Sequence, residues 1–181
     1  MNSTIEFQEF PKVPRLYKEV IVTEKIDGAN AAVVITDDGQ IAAQSRSRLI
    51  TPQDDNFGFA RWVADNKDEL LKLGPGHHFG EWWGSGIQRG YGLPKGEKRF
   101  SLFNVSRWSD YAVRPACCHV VPVLSNGEGF EHCVHQALHL LLRAGSVVAP
   151  GYSNPEGVMI FHTAAKQYFK RTFEDAHKGV K

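Results

Sequence analysis

At 181 residues the chain makes one domain of ordinary size, long enough to bury a core without disulfides or structural metals. Hydrophobic residues at 42% and charged residues at 23% exclude wholesale disorder. With 21 Lys and Arg against 20 Asp and Glu, the net charge of +1 excludes a polybasic arm that grips nucleic acid by charge alone, so any such contact must come from a local site.

In chain order, residues 20–23 are β-branched and read as a strand running into Glu24-Lys25-Ile26-Asp27-Gly28-Ala29-Asn30. Residues 31–36 and 41–44 flank Asp37-Asp38-Gly39-Gln40, whose Asp-Gly pair predicts a hairpin. Residues 54–73 carry apolar side chains at helical spacing and predict one long helix, stopped by Gly74-Pro75-Gly76. A buried strand over 78–83 leads into a glycine-rich loop from Gly84 to Pro94. Strands follow at 100–105 and 120–124, then a second helix over 128–144 stopped by Gly145, then strands at 158–161 and 167–172. Strands outnumber helices and the turns include hairpins, so the fold class is α+β with mainly antiparallel sheets and flanking helices. No linker divides the chain, and a single domain over residues 1–181 is expected.

Three cysteines, Cys117, Cys118 and Cys133, give neither a disulfide framework nor a CxxC zinc pattern. The first ten residues, MNSTIEFQEF, lack the basic and apolar regions of a signal peptide, and no apolar stretch approaches a membrane span. A soluble cytoplasmic protein is the expectation. His132, His135 and His139 recur on one helical face beside Cys133, a pattern that suits zinc or, as we favour, polar positions beside a leucine stripe.

The residues that carry chemistry are six landmarks in a fixed order: Lys25-Ile26-Asp27-Gly28 at a strand end; Ser45-Arg46 on the returning arm of the hairpin; Phe79-Gly80-Glu81; Phe100 to Val105; Pro155-Glu156-Gly157; and Lys170 near the end. Together they resemble the covalent nucleotidyltransferase superfamily of RNA ligases, DNA ligases and mRNA capping enzymes. The nearest likeness is to ATP-dependent RNA ligases of the double-strand-sealing and RNA-editing type. The resemblance runs from about Val22 to Lys178 and implies the nucleotidyltransferase (ATP-grasp-like) core of that superfamily.

By that resemblance Lys25 is the nucleophile that takes AMP from ATP. AMP then passes to a 5′-phosphate end, and a 3′-hydroxyl attacks to join the strands. A free lysine, with a pKa near ~10.4, is neutral in only about one molecule in a thousand near pH 7, so the site must favour the neutral amine. Neighbouring cations at Lys170 and Arg171 would act in that sense. The resemblance assigns nucleotide contacts to Glu24, Ile26, Asp27, Asn30, Arg46, Glu81, Phe103 and Glu156. Glu81 would hold a ribose hydroxyl and Phe103 would stack on adenine. Glu156 would approach the Mg²⁺ or Mn²⁺ ion, and Lys170 would face the α-phosphate as a catalytic cation. Arg48 competes with Arg46, and Lys166 with Lys170.

Two positions depart from the family pattern. Asn104 stands where an aspartate is common, and Thr172 replaces the second lysine of a K-x-K pair, leaving Arg171 or Lys178 to supply its charge. No OB domain or other C-terminal domain is visible, so a minimal ligase, a fragment, or a chain completed by a protein partner is expected. The substrate implied is nucleic-acid ends, RNA first. The alternatives are a ligase of DNA or nicked duplex, and a catalytically decayed nucleotide or nucleic-acid binding module.

Overall fold

A computed structural model of the chain describes residues 6–174. It holds two β-sheets, each covered on its outer face by helix. The first sheet contains β1 (Val20–Lys25), β8 (Val123–Gly127), β9 (Gly157–His162) and β10 (Gln167–Thr172) in the order β10-β9-β1-β8, antiparallel throughout. The second contains β2 (Ala29–Ile35), β3 (Ile41–Ser45), β4 (Leu49–Ile50), β5 (Gly76–Gly84), β6 (Lys98–Leu102) and β7 (His119–Val120). Its order is β4-β3-β2-β5-β6-β7, with only the β6–β7 pair parallel. The expected α+β class with mainly antiparallel sheets is the class observed.

Alternation along the strands decides what each face does. In β1, Val20 and Val22 are fully buried beneath the helix α4 (Phe130–Ala144), against Val134, Ala137, Leu141, Val158 and Ile160. Ile21, Thr23 and Lys25 point the other way, into a cavity between the sheets. In the second sheet Val33, Trp82, Phe100 and Leu102 pack outward on Phe59, Val63, Leu70 and Leu73, while Asn30 and Glu81 face inward. The exposed histidines of α4 sit opposite its buried stripe. Among the described residues, no group of three His, Cys, Asp or Glu side chains converges as a metal site.

Three expectations are corrected in detail. The helix expected over 54–73 is three pieces: α1 (Phe59–Asp65), α2 (Lys67–Leu70) and a 3₁₀ turn over Leu71–Leu73. Asp55 caps the first piece, accepting from the amides of Ala60 at 2.8 Å and Arg61 at 3.0 Å, so the residues before Phe59 are not helical. Asn66 breaks the rest by donating its side-chain amide back to the Trp62 carbonyl at 2.8 Å. The strand expected over 100–105 stops at Leu102, because Asn104 caps a one-turn helix, α3 (Val105–Trp108). The strand expected over 120–124 is two strands in different sheets. Pro122 has no amide to give to a ladder, so β7 ends and β8 begins across it.

Candidate active site

Lys25 ends β1 in the first sheet and Ala29 starts β2 in the second, so Ile26, Asp27 and Gly28 are the crossover between sheets. Each of the three is fixed. Ile26 is buried with Trp83, Tyr91 and Val121. Asp27 receives the Arg89 guanidinium at 2.9 Å on its carboxylate, and its amide donates to the Tyr91 hydroxyl at 2.8 Å. A Cβ on Gly28 would lie 2.5 Å from the Trp82 carbonyl oxygen, so the turn admits no side chain there. The result presents Lys25 at the floor of the cavity, with Nζ donating to Glu156 Oε2 at 2.6 Å. The direct partner of Lys25 is thus a carboxylate; of the two cations expected near it, Lys170 lines the same cavity, whereas Arg171 leaves β10 on the opposite face.

Glu24 and Glu81 are both buried, and they are held differently. The Glu24 carboxylate turns away from the nucleophile, accepting from Ser146 Oγ at 2.6 Å and from the amides of Val147 and Val148 at 2.8 and 3.0 Å. Burial raises its pKa, and these three donors oppose the rise. It anchors the loop after α4, so the nucleotide contact expected of it is not one its carboxylate is placed to make. Glu81 lies opposite Asn30 in the β2–β5 ladder and accepts from the Gly28 amide at 3.1 Å and from Asn30 Nδ2 at 3.2 Å. Burial pushes its carboxyl up to about 7, against the pull of Lys25.

The cavity has a volume of about 880 Å³ and is lined by Glu24, Lys25, Ile26, Asn30, Arg46, Glu81, Phe103 and Lys170, while Asp27 and Glu156 are not among its lining residues. Residues from both ends of the chain thus meet in one space. Phe103 donates its amide to the Phe79 carbonyl at 3.0 Å and packs its partly buried side chain against the small core cluster that contains Ile26 and Trp83. Arg46 occupies the β3–β4 turn, not a strand, and makes no ion pair among the described residues. Arg48 is pinned by Asp54 at 2.5 and 2.9 Å and lines a smaller neighbouring hollow, so Arg46 is the arginine presented to the cavity. Lys166 lies in the β9–β10 turn at the far end from Lys25, whereas Lys170 pairs with Met159 within the cavity wall. Lys178 lies outside the described residues.

Sequence reasoning missed Arg89, Tyr91 and Ser146. The first two sit in the glycine-rich loop, where glycine density marked a special backbone but no side-chain role. Ser146 is 122 residues from the carboxylate it binds, and nothing local signals such a pair. Of the carboxylates beside Lys25, Glu24 and Glu81 have both oxygens engaged, and Glu156 keeps one oxygen without a protein partner among the described residues. A hard divalent cation takes oxygen ligands, so Glu156 together with phosphate oxygens fits Mg²⁺ or Mn²⁺.

Comparison with known proteins places the fold. No curated protein sequence matches the chain. Among solved structures, an RNA ligase variant of Naegleria gruberi with AMP and Mn superposes with a TM-score of 0.64 at 22% identity, over 89% of this chain and 52% of that one. A second variant of the same ligase, with ATP and Mn, gives a TM-score of 0.62 at 21% identity, over 88% and 50%. A third, in the apo state, gives 0.61 at 23%, over 90% and 52%. The chain spans about half the length of these ligases, and at this identity they share its fold. The profile of the RNA ligase family matches residues 18–172, from the start of the first sheet to the end of β10, and the chain belongs to that family.

Proposed function

We propose that the chain is an ATP-dependent RNA ligase acting through a covalent lysyl-AMP. The observation that carries the reading is Lys25 Nζ, held by Glu156 at 2.6 Å on the floor of a cavity that also collects Arg46, Glu81, Phe103 and Lys170. In the first step the Lys25 amine attacks the α-phosphorus of ATP. The Lys25 ammonium first yields one proton to give the free amine; an N–P bond then forms, the P–O bond to pyrophosphate breaks, and the nitrogen gives up a second proton. Its ion-pair partner Glu156 is placed to accept the first proton, at 2.6 Å, and to pass it to water before the second leaves. A divalent cation at Glu156 and the phosphates would offset the charge that develops.

Lys170 and Arg46 approach the phosphates from opposite sheets, each free to make charge-assisted hydrogen bonds. Phe103 offers one face to the adenine, and Glu81 with Asn30 offers hydrogen bonds to the ribose. AMP on Lys25 remains activated: an oxygen of a terminal 5′-phosphate attacks its phosphorus, the N–P bond breaks, and Lys25 leaves as the amine after taking up a proton. A 3′-hydroxyl then closes the strand and releases AMP. The acceptor is taken to be RNA from the family, and a further domain or protein partner would supply additional grip on it.

Intact mass spectrometry before and after incubation with ATP and Mg²⁺ tests the reading, with Lys25→Ala in parallel. A gain of one AMP by the wild type alone is expected. No gain, in protein shown not to carry AMP already, would leave a nucleotide-binding module in place of an enzyme. Joining of 5′-phosphorylated RNA, nicked duplex RNA and nicked DNA then ranks the substrates.

A further inference from the structure

The glycine-rich loop after β5 is fastened to the Lys25 turn at Asp27, through Arg89 and Tyr91. Within it, Arg89 is 18% exposed and donates through all three guanidinium nitrogens. Nε reaches Asp27 Oδ2 at 2.9 Å, Nη2 reaches Glu174 Oε1 at 2.7 Å, and Nη1 reaches the Asn154 carbonyl at 3.3 Å. These acceptors belong to three separate segments: the crossover that follows Lys25, the loop two residues ahead of Glu156, and the chain just beyond β10. Two residues after Arg89, the Tyr91 hydroxyl takes the Asp27 amide at 2.8 Å while its ring packs on Trp83 and Tyr152.

The loop is held in this shape against its own preferences. Gln88 and Tyr91 have φ of 44° and 53°, left-handed conformations that non-glycine residues keep only where their surroundings over-determine them. Arg89 does not line the cavity, so it acts on chemistry only through the groups it ties together. Its planar fork can hold three acceptors at fixed angles, which a lysine, a point charge on a flexible stem, cannot do.

We propose that Arg89 is a positioning residue that clasps the 25–28 turn to the 154–156 loop and thereby sets the contact between Lys25 and Glu156. The proposal rests on the adenylyl-transfer reading for its consequence, but the clasp itself can be measured without turnover. Acetylation of Lys25 by acetic anhydride, read by peptide mass and normalised to the exposed Lys12, reports how firmly Nζ is held. Single-turnover AMP transfer across a range of ATP concentrations reports the consequence.

Arg89→Met is expected to raise Lys25 acetylation several-fold. It should also lower the maximal rate of AMP transfer by about tenfold or more, with the half-saturating ATP concentration unchanged within about twofold, since no cavity-lining group is lost. Arg89→Lys should fall between Met and wild type in both readouts, and it decides the matter should Arg89→Met fail to fold by thermal melting. Glu174→Ala removes only the outermost contact, at an acceptor 75% exposed, and should leave both readouts near wild type. Unchanged Lys25 acetylation in a folded Arg89 variant overturns the proposal. So does an unchanged maximal rate in its presence, or a rise in half-saturating ATP as the only effect. A wild type that takes no AMP at all sinks the ligase reading instead, and the acetylation arm still decides whether the clasp exists.

Discussion

Glu81 makes the folding stability of the protein depend on pH in a direction opposite to that of an ordinary surface carboxylate. The side chain is 7% exposed and its carboxyl is pushed from 4.5 up to about 7 by burial, despite donors at Gly28 and Asn30 and the charge of Lys25. Between those two values the folded protein keeps a proton that the unfolded chain has released. Stability therefore falls as pH rises from about 4.5 towards 7 and levels off above. A tenfold difference in proton affinity between the folded and unfolded states is worth about 1.4 kcal/mol, so this one group should remove roughly 3 kcal/mol across the window. Glu81→Gln has no proton to exchange, and its amide oxygen can still accept from Gly28. Urea denaturation of both proteins from pH 4.5 to 8.5 isolates the effect, because other titrating groups such as Glu24 are common to the pair. The variant should gain on the wild type by roughly 3 kcal/mol between the ends of the series. Parallel stability curves, with a difference independent of pH, would refute the reasoning and place the carboxyl in a far better solvated or more fully paired setting.

Two further outcomes follow from the same geometry. Gly157 has φ of 152° where β9 lies between β1 and β10, and a Cβ there would meet the Arg171 carbonyl oxygen and, at 2.7 Å, the Thr172 Cα. Gly157→Ala should cost about 3 kcal/mol in chemical denaturation and lower AMP transfer, since Glu156 is its neighbour; a near-neutral change would mean that β10 is free to move aside. Arg46→Ala should slow AMP transfer by about tenfold, the worth of one charge-assisted hydrogen bond to phosphate, while Arg48→Ala, which breaks only the exposed pair with Asp54, should stay within about twofold of wild type. The reverse order in single-turnover rates would show that the β3–β4 turn rearranges on binding.

The parts of this structure legible in the sequence are those set by local rules. Alternation in β1, β2 and β9, the Asp-Gly hairpin and the amphipathic α4 all follow from periodicity, and most of the ordered landmarks line one cavity, with Glu156 reaching it through its bond to Lys25. Errors fall where a single polar side chain overrides a pattern. Asp55 and Asn66 cut an apolar periodicity of helical length into short pieces, and Asn104 turns the end of a strand into a helix cap. Pro122 sends two halves of one apparent strand into different sheets. Within the site, residue types are readable but their partners are not. Glu24 resembles a ligand in sequence, yet its carboxylate is occupied by a loop more than a hundred residues away. Arg89 leaves no signal beyond its glycine-rich surroundings. Pairings of this kind depend on tertiary packing, which no window of sequence contains.

Asn104 illustrates how a departure from the family pattern can be absorbed. Its side-chain oxygen accepts from the Arg107 amide at 3.2 Å and from Ser106 Oγ at 2.8 Å, and an amide oxygen caps a helix about as well as a carboxylate does. The change from aspartate thus keeps α3 in place and removes only a charge.

Thr172 poses a sharper question, because it stands where a second cation is common, and strand parity decides which neighbour can replace it. Lys170 pairs with Met159, and both line the cavity. Arg171 pairs with Val158, which is fully buried beneath α4, so its side chain leaves β10 from the other face and cannot stand in for a phosphate-facing cation. Lys166 is four residues back in the turn, about 13 Å along the strand from Lys170. A cation that does line the cavity with Lys170, and makes no ion pair among the described residues, is Arg46 in the β3–β4 turn of the second sheet. Lys170→Ala should therefore lower the maximal rate of AMP transfer by about tenfold or more, and Arg171→Ala and Lys166→Ala should each change it by less than about twofold. Lys170→Ala combined with Arg46→Ala should lose more than the product of the single losses, if two cations share one phosphate and either alone can hold it in part. An Arg171→Ala defect as deep as that of Lys170→Ala would break the parity argument, since it would require β10 to shift by one residue and turn its other face to the site.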